Sequence, residues 1–84
     1  MKITVLGAAG KMAPGVIRDL AEAGEVKEIV LVDLESTRPV LEQRANDWGN
    51  NKAALVFADI ADPESLRAAI RGSSALANCT IYYF

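Results

Sequence analysis

The sequence predicts an α/β fold, a truncated doubly wound parallel sheet of four strands in the order 3-2-1-4. Three observations carry that expectation. Apolar segments alternate along the 84 residues as strand, helix, strand, helix, strand, helix, strand, the order of a parallel sheet wound through helical crossovers. The strand-like runs are nearly continuous in their hydrophobicity, as suits strands covered on both faces. Prolines and glycines fall where helices would begin and end.

Ile3-Thr4-Val5-Leu6 is a β-branched run closed by Gly7. Val16, Ile17, Leu20 and Ala21 then recur at helical spacing, with Pro14 suited to a first turn and Gly24 placed as a stop. Ile29-Val30-Leu31-Val32 is the second strand and ends at Asp33. Leu41, Ala45 and Trp48 fall at i, i+4 and i+7 of a second helix, which makes Trp48 a core residue by expectation. Ser36 or Thr37 would cap that helix, Gly49-Asn50-Asn51 would end it, and Pro39 blurs its start by biasing Arg38 away from helix. Ala54 to Ala58 reads as a third strand. Asp62-Pro63-Glu64 opens a third helix with a cap, a first-turn proline and an acidic residue at the positive dipole end. Leu66, Ala69 and Ile70 are its buried stripe, Gly72 ends it, and Ala75 to Cys79 is a fourth strand running into Ile81-Tyr82-Tyr83-Phe84.

Composition narrows the function. At 51% hydrophobic and 24% charged the chain has the profile of one folded domain, too short to add a separate substrate lobe. A net charge of −2 without a basic cluster argues against nucleic-acid and anionic-membrane partners. Apolar runs are too short to span a bilayer, and Met1-Lys2-Ile3 enters a strand without a signal-peptide pattern, so a cytoplasmic address is expected. One cysteine and no histidine leave no Cys/His metal cluster and no Ser-His or Cys-His nucleophile. Cys79 itself reads as a small buried residue.

The informative stretch is Gly7-Ala8-Ala9-Gly10-Lys11-Met12-Ala13, after the first strand and opening the first helix. A helix N-terminus meets an anion with converging amides and about half a positive charge, and small residues let the anion approach. Gly7 would allow the tight turn, Gly10 the close contact with phosphate, and Ala13 the packing of helix on strand. Read as the three-glycine dinucleotide fingerprint, the turn puts Ala9 and Met12 on the second and third glycine positions. Lys11 could touch the diphosphate; a surface lysine is the alternative. Asp33 ends the second strand where an acidic residue would accept both ribose hydroxyls of an adenosine; an Asp simply leaving a strand for a turn is the alternative. A carboxylate there favours NAD over NADP because it repels a 2′-phosphate, while Ser36, Thr37 and Arg38 lie nearby and could receive one, a solvated surface position being the alternative for Arg38. Asp59 and Ile60 could flank the adenine, or Asp59 could simply shape its loop; for Asp62 the capping role is preferred. Asn78 could reach the nicotinamide-side ribose or the diphosphate.

The stretches VLGAAGKMAPGVIRDLAE, EIVLVDLE, FADIADPESL and NCTIYYF resemble the N-terminal nucleotide-binding region of the saccharopine dehydrogenase-like oxidoreductases along the length of the chain. The resemblance implies a Rossmann-type domain of which residues 1–84 are the N-terminal part, with no substrate domain. It implies Gly7, Gly10 and Ala13 at the diphosphate, Asp33 at the adenosine ribose, Asp59 and Ile60 at the adenine, and Asn78 near the reactive end. The expected activity of the parent protein is NAD(P)-dependent oxidation or reduction at an amino acid or imine carbon–nitrogen bond, with a non-catalytic nucleotide sensor as the alternative. An uncovered fourth strand and the aromatic tail add an expectation of self-association.

Overall fold

The computed structural model describes residues 1–59 and 61–79. Its elements are β1 (Lys2–Leu6), α1 (Ala13–Glu22), β2 (Glu28–Asp33), a 3-10 turn (Glu35–Thr37), α2 (Arg38–Trp48), β3 (Ala53–Phe57), α3 (Pro63–Ile70) and β4 (Ala75–Asn78). The four strands form one parallel sheet in the order β3-β2-β1-β4, as the sequence predicts.

The continuous apolar runs serve two faces at once. Ile3 and Val5 of β1 with Ile29 and Leu31 of β2 meet Ala13, Ile17 and Ala21 of α1 and Leu41 of α2. The alternate residues Leu6, Val30 and Val32 turn to the other face and meet Ala69 of α3. Ile17, Ile29, Leu31 and Leu41 are fully enclosed, each contributing roughly 1.5–3 kcal/mol of apolar burial. Thr4 is the one polar residue in the buried set among the described residues, and its hydroxyl is hydrogen-bonded to that of Ser73.

The element ends meet the expectations in part. The α1 helix stops just short of Gly24, as expected, leaving through Ala23 in extended backbone (φ −77, ψ 119). Its last carbonyls are capped by a side chain from elsewhere: Lys52 Nζ donates to Ala21 O at 2.8 Å and Ala23 O at 3.1 Å, placing a cation at the negative end of the helix. At the start of α2, Thr37 holds the N-cap position, yet its hydroxyl donates backwards to Leu34 O at 2.6 Å and caps no helix amide. Arg38 is helical (φ −47, ψ −47) despite preceding Pro39. Its side chain is held by Glu35 and lies over the Phe57 ring.

Trp48 is not a core residue. It is 38% exposed and lines an open groove with Arg18, Glu22, Asn46 and Asp47, at the end of the sheet away from Gly7. The reason lies in the next residue. A Cβ on Gly49 would stand 2.6 Å from Ala45 O and 2.7 Å from Ala53 Cβ, so the end of α2 lies almost directly on β3 and leaves no room for an indole beneath it. Spacing gives an angular position on the helix and says nothing of how close the sheet lies there. Gly49 is needed for space, since its φ of −75° suits any residue. Asn50 and Asn51 then take left-handed backbone (φ 51 and 62), which asparagine tolerates. Gly49→Ala is therefore expected to destabilise the fold by about 1–3 kcal/mol through overpacking, measured by urea denaturation; a midpoint unchanged from the parent chain would contradict this account.

Candidate functional site

The glycine turn is tied down from three sides. Gly7 has φ 72, a left-handed conformation that costs other residues about 1–2 kcal/mol. Its amide and that of Ala8 both donate to Val32 O, at 3.0 and 3.1 Å, anchoring the turn to the end of β2. Gly10 N closes the turn onto Gly7 O at 2.9 Å. Ala13 is fully buried where α1 meets the sheet, the close packing expected of it.

Gly10 has a more specific reason to lack a side chain than access for phosphate. A Cβ there would meet two backbone oxygens, Gly7 O at 3.1 Å and Cys79 O at 3.2 Å. The turn is thus pressed against the chain just beyond β4, where Cys79 N donates to Leu6 O at 2.8 Å. Cys79 is buried, and burial pushes its thiol pKa up, which keeps the sulfur protonated and unreactive. Asn78 stands beside the turn, paired in register with Leu6.

Asp33 reaches the same turn. Its Oδ2 accepts from Ala9 N at 2.9 Å and its Oδ1 from Leu34 N at 2.8 Å. Each carboxylate oxygen has a second acceptor position, so the residue can hold the turn and still receive hydroxyls. The Ala9 amide is spoken for by Asp33; those of Lys11 and Met12 make no backbone hydrogen bond within the turn, and both residues are exposed. Small residues, a left-handed glycine and donors at the start of α1 fit a diphosphate, and Asp33 fits the adjoining sugar.

Arg38 lies one strand further out. Its guanidinium sits 4.2 Å from the centroid of the Phe57 ring, and Phe57 is the Cα partner of Asp33 across β2 and β3. The fork is closed on Glu35, with Nε to Oε2 at 2.7 Å and Nη2 to Oε1 at 2.8 Å. That pairing holds the exposed Glu35 carboxyl below its usual pKa.

Asp59 turns to its own loop: Oδ1 accepts from Ala61 N at 2.9 Å, and its main chain bonds Ser65 and Asp62. Asp62 caps α3 by accepting from Glu64 N at 3.2 Å, as expected. Ile60 and the tail Ile81 to Phe84 lie outside the described residues. No group of three or more metal-ligating acids or cysteines occurs among the described residues.

One contributor escapes the motif reading. Arg44 of α2 donates from Nη1 to Ala8 O at 2.6 Å and Gly10 O at 2.5 Å, spanning the back of the glycine turn. Its only signal in the sequence is a cation three residues after Leu41, on the side of the helix that faces inward.

The model of the 3-beta hydroxysteroid dehydrogenase/isomerase family matches residues 4–82, nearly the whole chain. The chain belongs to this family. The 3-beta hydroxysteroid dehydrogenase/isomerase family is an NAD(P)-binding one of Rossmann type, and the match covers the glycine turn, Asp33, β2, β3, β4 and β1 from Thr4 onward. It supports the NAD(P)-binding, oxidoreductase-like domain that the residues imply and does not extend to the saccharopine dehydrogenase-like relatives that they resemble. No helix among the described residues is long and apolar enough to cross a membrane.

Proposed function

We propose that this chain is the N-terminal part of the dinucleotide-binding domain of an oxidoreductase, with NAD as the preferred cofactor. One observation carries the reading: the Asp33 carboxylate is joined directly to the glycine turn by the 2.9 Å bond from Ala9 N. The amides of Lys11 and Met12 would receive the diphosphate, Asp33 the adenosine ribose, and Asn78 would lie towards the nicotinamide side. A bound nicotinamide supplies or accepts the hydride; the residues described here bind and orient it.

The choice of NAD rests on two features. Asp33 presents negative charge where a 2′-phosphate would sit. Arg38, a nearby cation able to receive that phosphate, already gives Nε and one Nη2 hydrogen to Glu35, so a phosphate would have to share the guanidinium with a carboxylate of like charge.

For the substrate, the name of the matched family favours a carbon–oxygen centre, a hydroxyl oxidised to a ketone. A carbon–nitrogen centre is the second reading, favoured by the stretches that resemble saccharopine dehydrogenase-like proteins. Isothermal titration of the chain with NAD(H), NADP(H) and adenosine fragments tests the binding step. Heat with NAD(H), and an affinity several-fold above that for NADP(H), is the expected result. Absence of heat with every one of these ligands would remove the nucleotide reading.

A further inference from the structure

We propose that Arg44 is a positioning residue of the nucleotide site, setting the peptide groups of the glycine turn so that their amides face the ligand side; this rests on the nucleotide reading above. A trans peptide is planar, with its carbonyl and the following N–H pointing in opposite directions. Fixing the oxygen therefore aims the amide.

The peptide between Ala8 and Ala9 is gripped at both ends. Arg44 Nη1 holds Ala8 O at 2.6 Å, and Asp33 Oδ2 holds Ala9 N at 2.9 Å. A cation thus sits at the oxygen and an anion at the N–H, each matching the sign of the dipole it meets. The two side chains come from different elements, α2 and β2, so the orientation of this peptide depends on the packed fold and not on the turn alone.

The peptide between Gly10 and Lys11 is gripped at one end only. Arg44 Nη1 also holds Gly10 O, at 2.5 Å, which directs the Lys11 amide away from the guanidinium. That amide makes no backbone hydrogen bond within the turn. An anion arriving at α1 would find it already turned outward, with a half-buried positive charge behind the turn. The ordering of the loop is then settled before the ligand binds, which is where preorganisation raises affinity.

The role is specific to the phosphate half of the ligand, and that separates it from a merely structural one. The test is isothermal titration of the parent chain, Arg44→Met and Arg44→Lys with ADP and with adenosine, alongside hydrogen exchange of the Ala9 and Lys11 amides without ligand. Arg44→Met is expected to weaken ADP at least about tenfold while adenosine changes less than about twofold, and to speed exchange at the bonded Ala9 amide, with the unbonded Lys11 amide as the reference. Arg44→Lys is expected to recover part of the ADP affinity, because an ammonium can hold a carbonyl but lacks the planar fork. If Arg44→Met does not fold, the same comparison in Arg44→Lys decides, with a loss of ADP affinity greater than that of adenosine as the supporting result. ADP binding unchanged in the variants, or ADP and adenosine weakened equally, overturns the proposal while leaving the nucleotide reading intact. A parent chain that binds neither ligand overturns both.

Discussion

Gly10→Val is expected to abolish measurable NAD(H) binding, a loss of at least about a hundredfold, or roughly 2.7 kcal/mol. The first added carbon would already stand 3.1 Å from Gly7 O and 3.2 Å from Cys79 O. Neither oxygen can retreat freely, since Gly7 O accepts the closing bond of the turn and Cys79 follows directly on β4. The turn must open, and overpacking of this kind costs about 1–3 kcal/mol in its own right. Branching at Cβ would add bulk at the start of α1, where an anion has to approach the amides. Titration and thermal denaturation on the same preparation separate the two effects. Gly10→Ala should fall between parent and valine variant, because a contact of this length asks for only a few tenths of an ångström. Retention of NAD affinity within about threefold in a folded Gly10→Val chain would show that the turn does not hold the cofactor.

Asp33→Ala is expected to lower NAD affinity by about ten- to a hundredfold, the worth of hydrogen bonds from ribose hydroxyls to a charged acceptor. NADP affinity should fall less or rise, because the same change removes a negative charge facing the 2′-phosphate. The ratio of the two affinities is therefore the sensitive quantity. Removal of the carboxylate also frees Ala9 N and Leu34 N, so some stability will be lost with it. Asp33→Asn, which keeps one acceptor oxygen, controls for that loss. An NAD to NADP ratio equal to that of the parent chain in both variants would place the adenosine ribose elsewhere.

What could be read from the letters was local. Gly7 announces a left-handed turn, and the spacing from Ala13 to Asp33 follows from one helix and one strand of ordinary length. The sheet order follows from alternation of period, and the two-faced burial of Ile29 to Val32 was visible as an unbroken apolar run. What could not be read depends on distance between remote segments. Arg44 bonds the backbone of Ala8 and Gly10, and Lys52 bonds that of Ala21 and Ala23. A carbonyl carries no sequence signature, so a cation that seeks one is indistinguishable from a solvated one. Trp48 failed for a related reason, as helical spacing could not foresee how closely Gly49 approaches Ala53. Asp59 had two roles open to it, and the short reach to Ala61 N is what the structure takes up.

The middle position of β1 constrains how the chain can assemble. Its neighbour on one side is β2, soon after it, but on the other it is β4, with Ile3 opposite Ala75 and Leu6 opposite Asn78. A nascent polypeptide leaving the ribosome can lay its first three strands together, yet the earliest of them keeps an open flank until the latest has emerged. Pairings between such distant positions form slowly, because chain closure must be completed before any contact repays it. Until then, the Thr4 hydroxyl also waits for Ser73, and the floor against which the Gly10 turn rests does not exist. Competence to grip a ligand is therefore acquired only once β4 has closed that flank.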